Sequence, residues 1–227
     1  MVRYAVIQEK FPREFVLLQG TGCKWKKCTF CDYHLDVSSD PYKVNKEVLE
    51  KVTGVYSVLD VINSGSCIEL CDRTIELLQQ IVENKKIHTL WFESHWMYRN
   101  KLEEFKGLFP GVEVKVRCGV ETFDVLLRKR WCKGVPENVT AEDIARYFNG
   151  VCLLCGTEGE DFSHIQADID TACRWFEYLS VNVFCNNTSA VRRDDALVER
   201  FLREIYPKYK DNPKVEFLVE NTDLGVG

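Results

Sequence analysis

The 227-residue sequence predicts an α/β fold, a partial or nearly closed (β/α)6-type TIM-like barrel of mostly parallel strands plus a final C-terminal strand. Three observations predict it. Short, nearly continuous apolar runs alternate with longer amphipathic stretches, the pattern of strands buried on both faces and joined by helices. The alternation repeats six times before one last strand, fewer than a full eight-fold barrel of about 250 residues requires. Polar residues gather just after the strand ends, where the loops of a barrel share one mouth. A doubly wound open sheet shares the same property and stays as the alternative, because sequence does not show closure. A single domain, 1–227, is expected at this length.

Element by element, EFVLLQG (14–20) reads as the first strand and KVNKEVLEKVT (43–53) as a helix. SVLDVINSG (57–65) is the second strand, followed by the helix RTIELLQQIVENKK (73–86). HTLWFES (88–94) is the third, before the helix YRNKLEEFKGLF (98–109), whose apolar residues recur three to four apart. VEVKVRCG (112–119) is the fourth, leading into helices near 122–131 and 140–148. GVCLLCG (150–156) is the fifth, before the helix SHIQADIDTACRWFEYLS (163–180). VNVFCNN (181–187) is the sixth, with the helix DDALVERFLREIYPKY (194–209) after it, and KVEFLVEN (214–221) closes the series. Strand ends carry Cys23, Asn63, Ser64, Ser66, Glu93, Ser94, His95, Arg117, Glu121, Glu158, Glu160, Asn186, Asn187, Glu220 and Asn221. Loop solvation explains any one of these; it explains the whole series less well.

The formal net charge is −5, so no global field holds a polyanion, and tight nucleic-acid binding is not expected. Two short basic runs, Lys24/Lys26/Lys27 and Arg128/Lys129/Arg130, read as solvated faces or as local sites for a small anion. No apolar stretch approaches the roughly 18 residues of a membrane span, and the N-terminus lacks a signal-peptide core, so a cytoplasmic location is expected. The 11 cysteines are an odd number and would stay reduced there. Most of them lie in apolar runs and read as small buried hydrophobes.

Cys23, Cys28 and Cys31 are different, three thiols within nine positions just after the first strand. With His34 they match a Cys3His zinc knuckle. A 4Fe-4S cluster held by only three thiolates is the second reading, and it leaves one iron open for a further ligand.

On these residues the chain resembles the radical S-adenosylmethionine (SAM) superfamily. The family signature is C-x3-C-x2-C with an aromatic residue before the third cysteine; here Phe30 fills the aromatic place, and four residues separate Cys23 from Cys28. NSGS (63–66) stands where the family receives the methionine amino group, which implies cofactor roles for Ser64, Gly65 and Ser66. RCGVETF (117–123) resembles the turn whose acidic residue, here Glu121, meets the ribose hydroxyls. LLCGTEGED (153–161) resembles the Gly-rich turn, here with Gly156, that supports adenine.

The resemblance implies a mechanism. SAM chelates the open iron, one-electron reduction cleaves it to a 5′-deoxyadenosyl radical, and that radical takes hydrogen from a substrate. An external one-electron reductant such as flavodoxin or ferredoxin is implied. Glu93 and His95 are the candidate catalytic and substrate residues, one suited to a guanine-like edge and the other to a hydroxyl or a proton. Arg117, Asn186, Asn187, Glu220 and Asn221 are further substrate candidates. The short length and the C-x4-C variant resemble small queuosine-salvage lyases, which release queuine from queuosine 5′-monophosphate. A 7-carboxy-7-deazaguanine synthase, and a non-enzymatic zinc or electron-transfer protein, remain as alternatives.

Overall fold

The computed structural model describes residues 1–226, and the chain divides into two compact units. The first comprises Met1–Lys26, Tyr33–Val116 and the segment from Thr222. It holds β1 (Tyr4–Ile7), β2 (Arg13–Leu18), α1 (Pro41–Leu49), β3 (Val58–Asn63), α2 (Asp72–Lys85), β4 (Thr89–Ser94), α3 (Leu102–Lys106) and the start of β5 (Glu113–Glu121). The second, Lys27–Asp32 with Arg117–Asn221, holds the rest of β5 and α4 (Val125–Arg130), α5 (Ala141–Ala145), β6 (Gly150–Cys155) and α6 (Phe162–Trp175). It continues with β7 (Tyr178–Val183), α7 (Asp195–Glu204), α8 (Tyr206–Tyr209) and β8 (Val215–Leu218).

Strand order follows chain order from β1 to β8. The pairs β2–β3, β3–β4, β5–β6, β6–β7 and β7–β8 are parallel, and β1 lies antiparallel on β2. From β2 to β7 each strand is followed by helix, six repeats before the last strand. That is the α/β class and element order of a partial (β/α)6 barrel. The added β1 was not expected, because a four-residue edge strand carries too little periodicity to be read from sequence.

Three other differences have local causes. The sixth parallel strand starts at Tyr178, not 181, and α6 ends at Trp175. Phe176 leaves the helix in extended backbone, and the Glu177 N–H donates to the Asn149 carbonyl. The helix expected over 98–109 opens as a 3-10 turn, Trp96–Lys101, before α3. The one expected over 194–209 divides into α7 and α8 around Ile205, just ahead of Pro207, whose ring nitrogen cannot extend the ladder.

Alternation along β4 decides which side chains are available for chemistry. Phe92 packs edge-on against Phe105 of α3 and tilted against Phe109, so this face of β4 lies under helix. Successive strand residues point to opposite faces, which puts Trp91 and Glu93 on the other side. The register continues that face through Leu17 and Ile62, where Leu224 and Val226 of the C-terminal segment also pack. No helix among the described residues is long and apolar enough to cross a membrane.

Candidate functional site

In the first unit the loop after β2 is tied to the turns after β3 and β4. Glu69 is 4% exposed, and its carboxylate accepts from the Lys24 N–H at 2.8 Å, the Ser66 N–H at 2.7 Å and the Tyr98 hydroxyl at 2.8 Å. Its backbone carbonyl accepts from the Thr21 N–H. Trp25 stacks on His95 with ring centroids 5.1 Å apart. The segment bearing Cys23 is therefore held by a carboxylate on one side and a ring stack on the other.

The turn after β3 is built for close approach. A Cβ on Gly65 would clash with Oε2 of Glu69, whose carboxylate three hydrogen bonds hold in place, and would stand 3.3 Å from the Cys23 Cα, so the turn favours glycine. Ser64 Oγ accepts from the Gly20 N–H, and Ser66 Oγ from the His95 N–H, both at 3.0 Å. Asn63 donates its amide to the Ser66 carbonyl, while its buried Oδ1 has no hydrogen-bond partner. A buried acceptor left unpaired costs about 1–3 kcal/mol, and a ligand amino group would satisfy it.

His95 is buried, and its Nδ1 accepts from the Met97 N–H at 3.1 Å. That bond fixes the neutral tautomer with its proton on Nε2. Glu93 is half-buried on the face of β4 turned away from the helices.

In the second unit Cys28 and Cys31 flank Phe30 on a tight turn in which the Cys31 N–H donates to the Cys28 carbonyl. Phe30 is buried edge-on against Trp131, in a cluster with Leu127 and Phe184. The Thr29 N–H donates to the Trp131 carbonyl, Asn187 Nδ2 to the Phe30 carbonyl at 2.8 Å, and Thr188 to the Asp32 carboxylate. The aromatic residue before the third cysteine thus acts as the anchor of the turn.

None of the 11 cysteines is in a disulfide. The trio is partly exposed, whereas burial pushes the Cys67 thiol up to about 12 and that of Cys155 well above its ordinary value. Exposure alone does not single out the trio, since Cys71, Cys173 and Cys185 are also partly exposed and Cys132 is exposed. Among the described residues no three His, Cys, Asp or Glu side chains converge on a single-ion site. A four-iron cube spreads its sulfur ligands around its corners and needs no such convergence. In the first unit Cys23 lies beside a glycine cradle and an orphaned amide oxygen, and in the second the Cys28–Cys31 turn carries two thiols; each is the donor type that a thiolate-bound cluster or an amino-acid-bearing cofactor uses.

Glu121 ends β5 beyond a register shift and holds φ at +68°, a conformation a side chain adopts only at a cost of about 1–3 kcal/mol. Its Oε1 accepts from Lys133 Nζ at 2.7 Å, and both side chains are buried. Gly156 also has positive φ, and a Cβ there would meet Val198 at 2.5 Å. The Gly156 and Thr157 N–H groups donate to Glu160 Oε2 at 2.8 and 3.1 Å. Burial raises Glu160 to about 7 against these bonds, and likewise raises Asp168, which accepts from the Phe123 N–H, to about 6.

Other expected site residues have different surroundings. Arg117 is level with Gly150 and lies over the Tyr178 ring, the first residues of β6 and β7, so it stands at the opening ends of these strands rather than at their carboxyl ends. Asn187 spends its amide on Phe30 and Ser189, and Asn186 accepts from the Arg193 N–H while exposed. Glu220 and Asn221 are exposed beyond β8. One residue was missed. Glu69 is signalled by the capping-box spacing S-x-x-E of Ser66 and Glu69. Asn182, on the face of Leu154, donates its amide to the Leu153 carbonyl at 2.9 Å and to Ser180 Oγ at 3.2 Å.

No protein-family model matches the sequence, and neither does any curated protein. Among solved structures, a queuine lyase from Clostridium spiroforme bound to SAM and queuine is 39% identical, with a TM-score of 0.94, over 100% of this chain and 99% of its own. Streptococcus suis SuiB is 16% identical with a TM-score of 0.57, matching 92% of this chain and 50% of its own. SuiB bound to S-adenosylmethionine gives 15% and 0.55 over 92% of this chain and 47% of its own, so the likeness to SuiB speaks for the fold alone. With the full-length identity to the lyase beside the cysteine turn and the glycine cradle, the chain belongs to the radical SAM superfamily, in the family of the queuine lyases.

Proposed function

We propose that this chain is a lyase that releases queuine from queuosine 5′-monophosphate by breaking the N-glycosidic link. The observation that carries the reading is the 39% identity over the whole chain to a queuine lyase bound to SAM and queuine. Of the two radical reactions left open by the sequence, that likeness supports the lyase over ring contraction.

Cys23, Cys28 and Cys31 would hold the 4Fe-4S cluster, and the turn of Asn63, Ser64, Gly65 and Ser66 would hold SAM. When bound, these groups supply a 5′-deoxyadenosyl radical that abstracts a hydrogen atom from the substrate. The chain's own task is to hold and orient. Asn63 Oδ1 is suited to an amino group, Gly65 leaves room for close approach, and Glu121 is suited to ribose hydroxyls. Gly156 would support adenine. Glu93 accepts from a deazaguanine edge, and His95 presents an Nε2 proton to a hydroxyl. Asn186, Asn187, Glu220 and Asn221 act at the margin of the site through the loops that carry them.

The test compares queuosine 5′-monophosphate, the nucleoside queuosine and no substrate, under anaerobic conditions with SAM and a reductant. Queuine release that is faster with the monophosphate supports the substrate. Equal release from the nucleoside refutes the phosphate, and no queuine from either refutes the lyase.

A further inference from the structure

We propose that the face beside Thr29, formed by α4 and the segment 189–193, docks an acidic one-electron carrier protein that reduces the cluster. The inference rests on the radical SAM reading and adds to it the place where the electron enters. Thr29 is exposed and stands between the two cysteines of the second unit. It lines a shallow, open pocket with Arg130, Trp131, Val191, Arg192 and Glu158.

The charge at this pocket is sorted by partner. Of the run Arg128–Arg130, Arg128 turns inward to the Pro136 and Val139 carbonyls, and Lys129 is paired with Glu137 at 2.6 Å. Arg130 alone faces the pocket, donating to the Gly159 carbonyl. Arg192 donates to the Ser189 and Val191 carbonyls. Two exposed guanidiniums therefore bond only neutral oxygens and keep their full charge, against the one carboxylate of Glu158. On a chain of net charge −5 this is a local positive spot. Leu126, 77% exposed, lies one turn before Arg130 on the same face of α4 and adds an apolar contact beside the charges.

A rim of unneutralised arginines around an apolar contact steers an oppositely charged partner into one orientation. A partner seated here would lie beside Thr29, on the turn that carries Cys28 and Cys31, two of the thiols proposed to hold the cluster. One electron leaves the carrier and enters the cluster, so the carrier is oxidised and the cluster reduced, with no proton or bond transferred between the proteins.

The test uses reduced flavodoxin, an acidic carrier, and dithionite, which needs no docking surface, with the reconstituted enzyme. For the double variant R130E/R192E, flavodoxin binding measured by calorimetry and flavodoxin-driven SAM cleavage should both fall roughly 10- to 100-fold. Dithionite-driven cleavage should stay within about twofold, since a rim charge acts on encounter alone. Wild-type binding should weaken between about 0.05 and 0.3 M salt, as screening shortens the field, and the variant's should not. R130Q/R192Q, milder to the fold, should show a smaller loss in the same assays. Unchanged flavodoxin binding in both variants, or an equal loss with dithionite, overturns the proposal. Failure of wild-type SAM cleavage with dithionite would instead overturn the radical SAM reading.

Discussion

Replacing Glu69 by alanine removes the acceptor of three hydrogen bonds at the base of the Cys23 loop. The Lys24 N–H lies beside an exposed side chain and regains water, so its loss costs little. The Ser66 N–H and the Tyr98 hydroxyl are buried and lose their partner, at about 1–3 kcal/mol each, with more for bonds to a charged group. The expected cost is about 3–5 kcal/mol. At roughly 2–4 °C per kcal/mol for a chain of this size, melting should fall by about 6–20 °C. E69Q keeps one acceptor oxygen and turns an amide donor toward another donor, so it should lose about half as much. Y98F removes one donor and leaves the acceptor satisfied, for about 1 kcal/mol. Thermal unfolding checks the stability, and iron and sulfide per chain after reconstitution check the loop: E69A should melt lower and load less cluster. An E69A protein within about 1 kcal/mol of wild type and with full iron would refute the reasoning.

Cys23→Ala, Cys28→Ala and Cys31→Ala should each abolish SAM cleavage while leaving far-UV circular dichroism unchanged, and residual cleavage above background in any of them would exclude that thiol as a ligand. Gly156→Ala should destabilise through both its positive φ and the contact with Val198, and V198A should restore only the part due to contact, as read by thermal unfolding of the single and double variants. Glu160 and Asp168 hold their protons in the folded chain to about 7 and 6, against ordinary values of 4.5 and 3.8. The folded state then binds more protons than the unfolded one across that window, so stability falls as pH rises from about 4 to about 7. E160Q should flatten the fall in melting temperature between about pH 5 and pH 7. Asn63→Ala should raise the KM for SAM more than it lowers kcat, because it removes the buried acceptor proposed for the cofactor's amino group; a change in kcat alone would place Asn63 elsewhere.

The parallel strands and their crossover helices were legible because strands buried on both faces carry nearly continuous apolar runs, as in the FVLL of β2 and the GVCLLC of β6. β1 was not, since four residues at an edge carry no such signal. The cysteine turn was legible from its spacing and Phe30 from the family signature that the turn resembles; that Phe30 buries against Trp131 is a fact of packing between segments about a hundred residues apart. Arg117 was misjudged through register. β5 is nine residues long, so a residue in its middle falls at the start of its six-residue neighbour β6. Glu69 was overlooked although its capping-box spacing was in plain view, because its use lies in the Lys24 N–H and the Tyr98 hydroxyl, partners 45 and 29 residues away. Local chemistry reads from sequence; the partners that local chemistry serves do not.

The central claim is that three thiols, one open iron and a glycine-cradled SAM together drive release of a deazaguanine base. Its most direct measurement follows 5′-deoxyadenosine and queuine in one anaerobic reaction of the reconstituted protein with SAM, a reductant and queuosine 5′-monophosphate. The account predicts that both products rise together and that neither rises when SAM, reductant or substrate is withheld beyond the slow uncoupled cleavage of SAM. Queuine formed without 5′-deoxyadenosine, or 5′-deoxyadenosine formed at the same rate with and without substrate and no queuine, would contradict it.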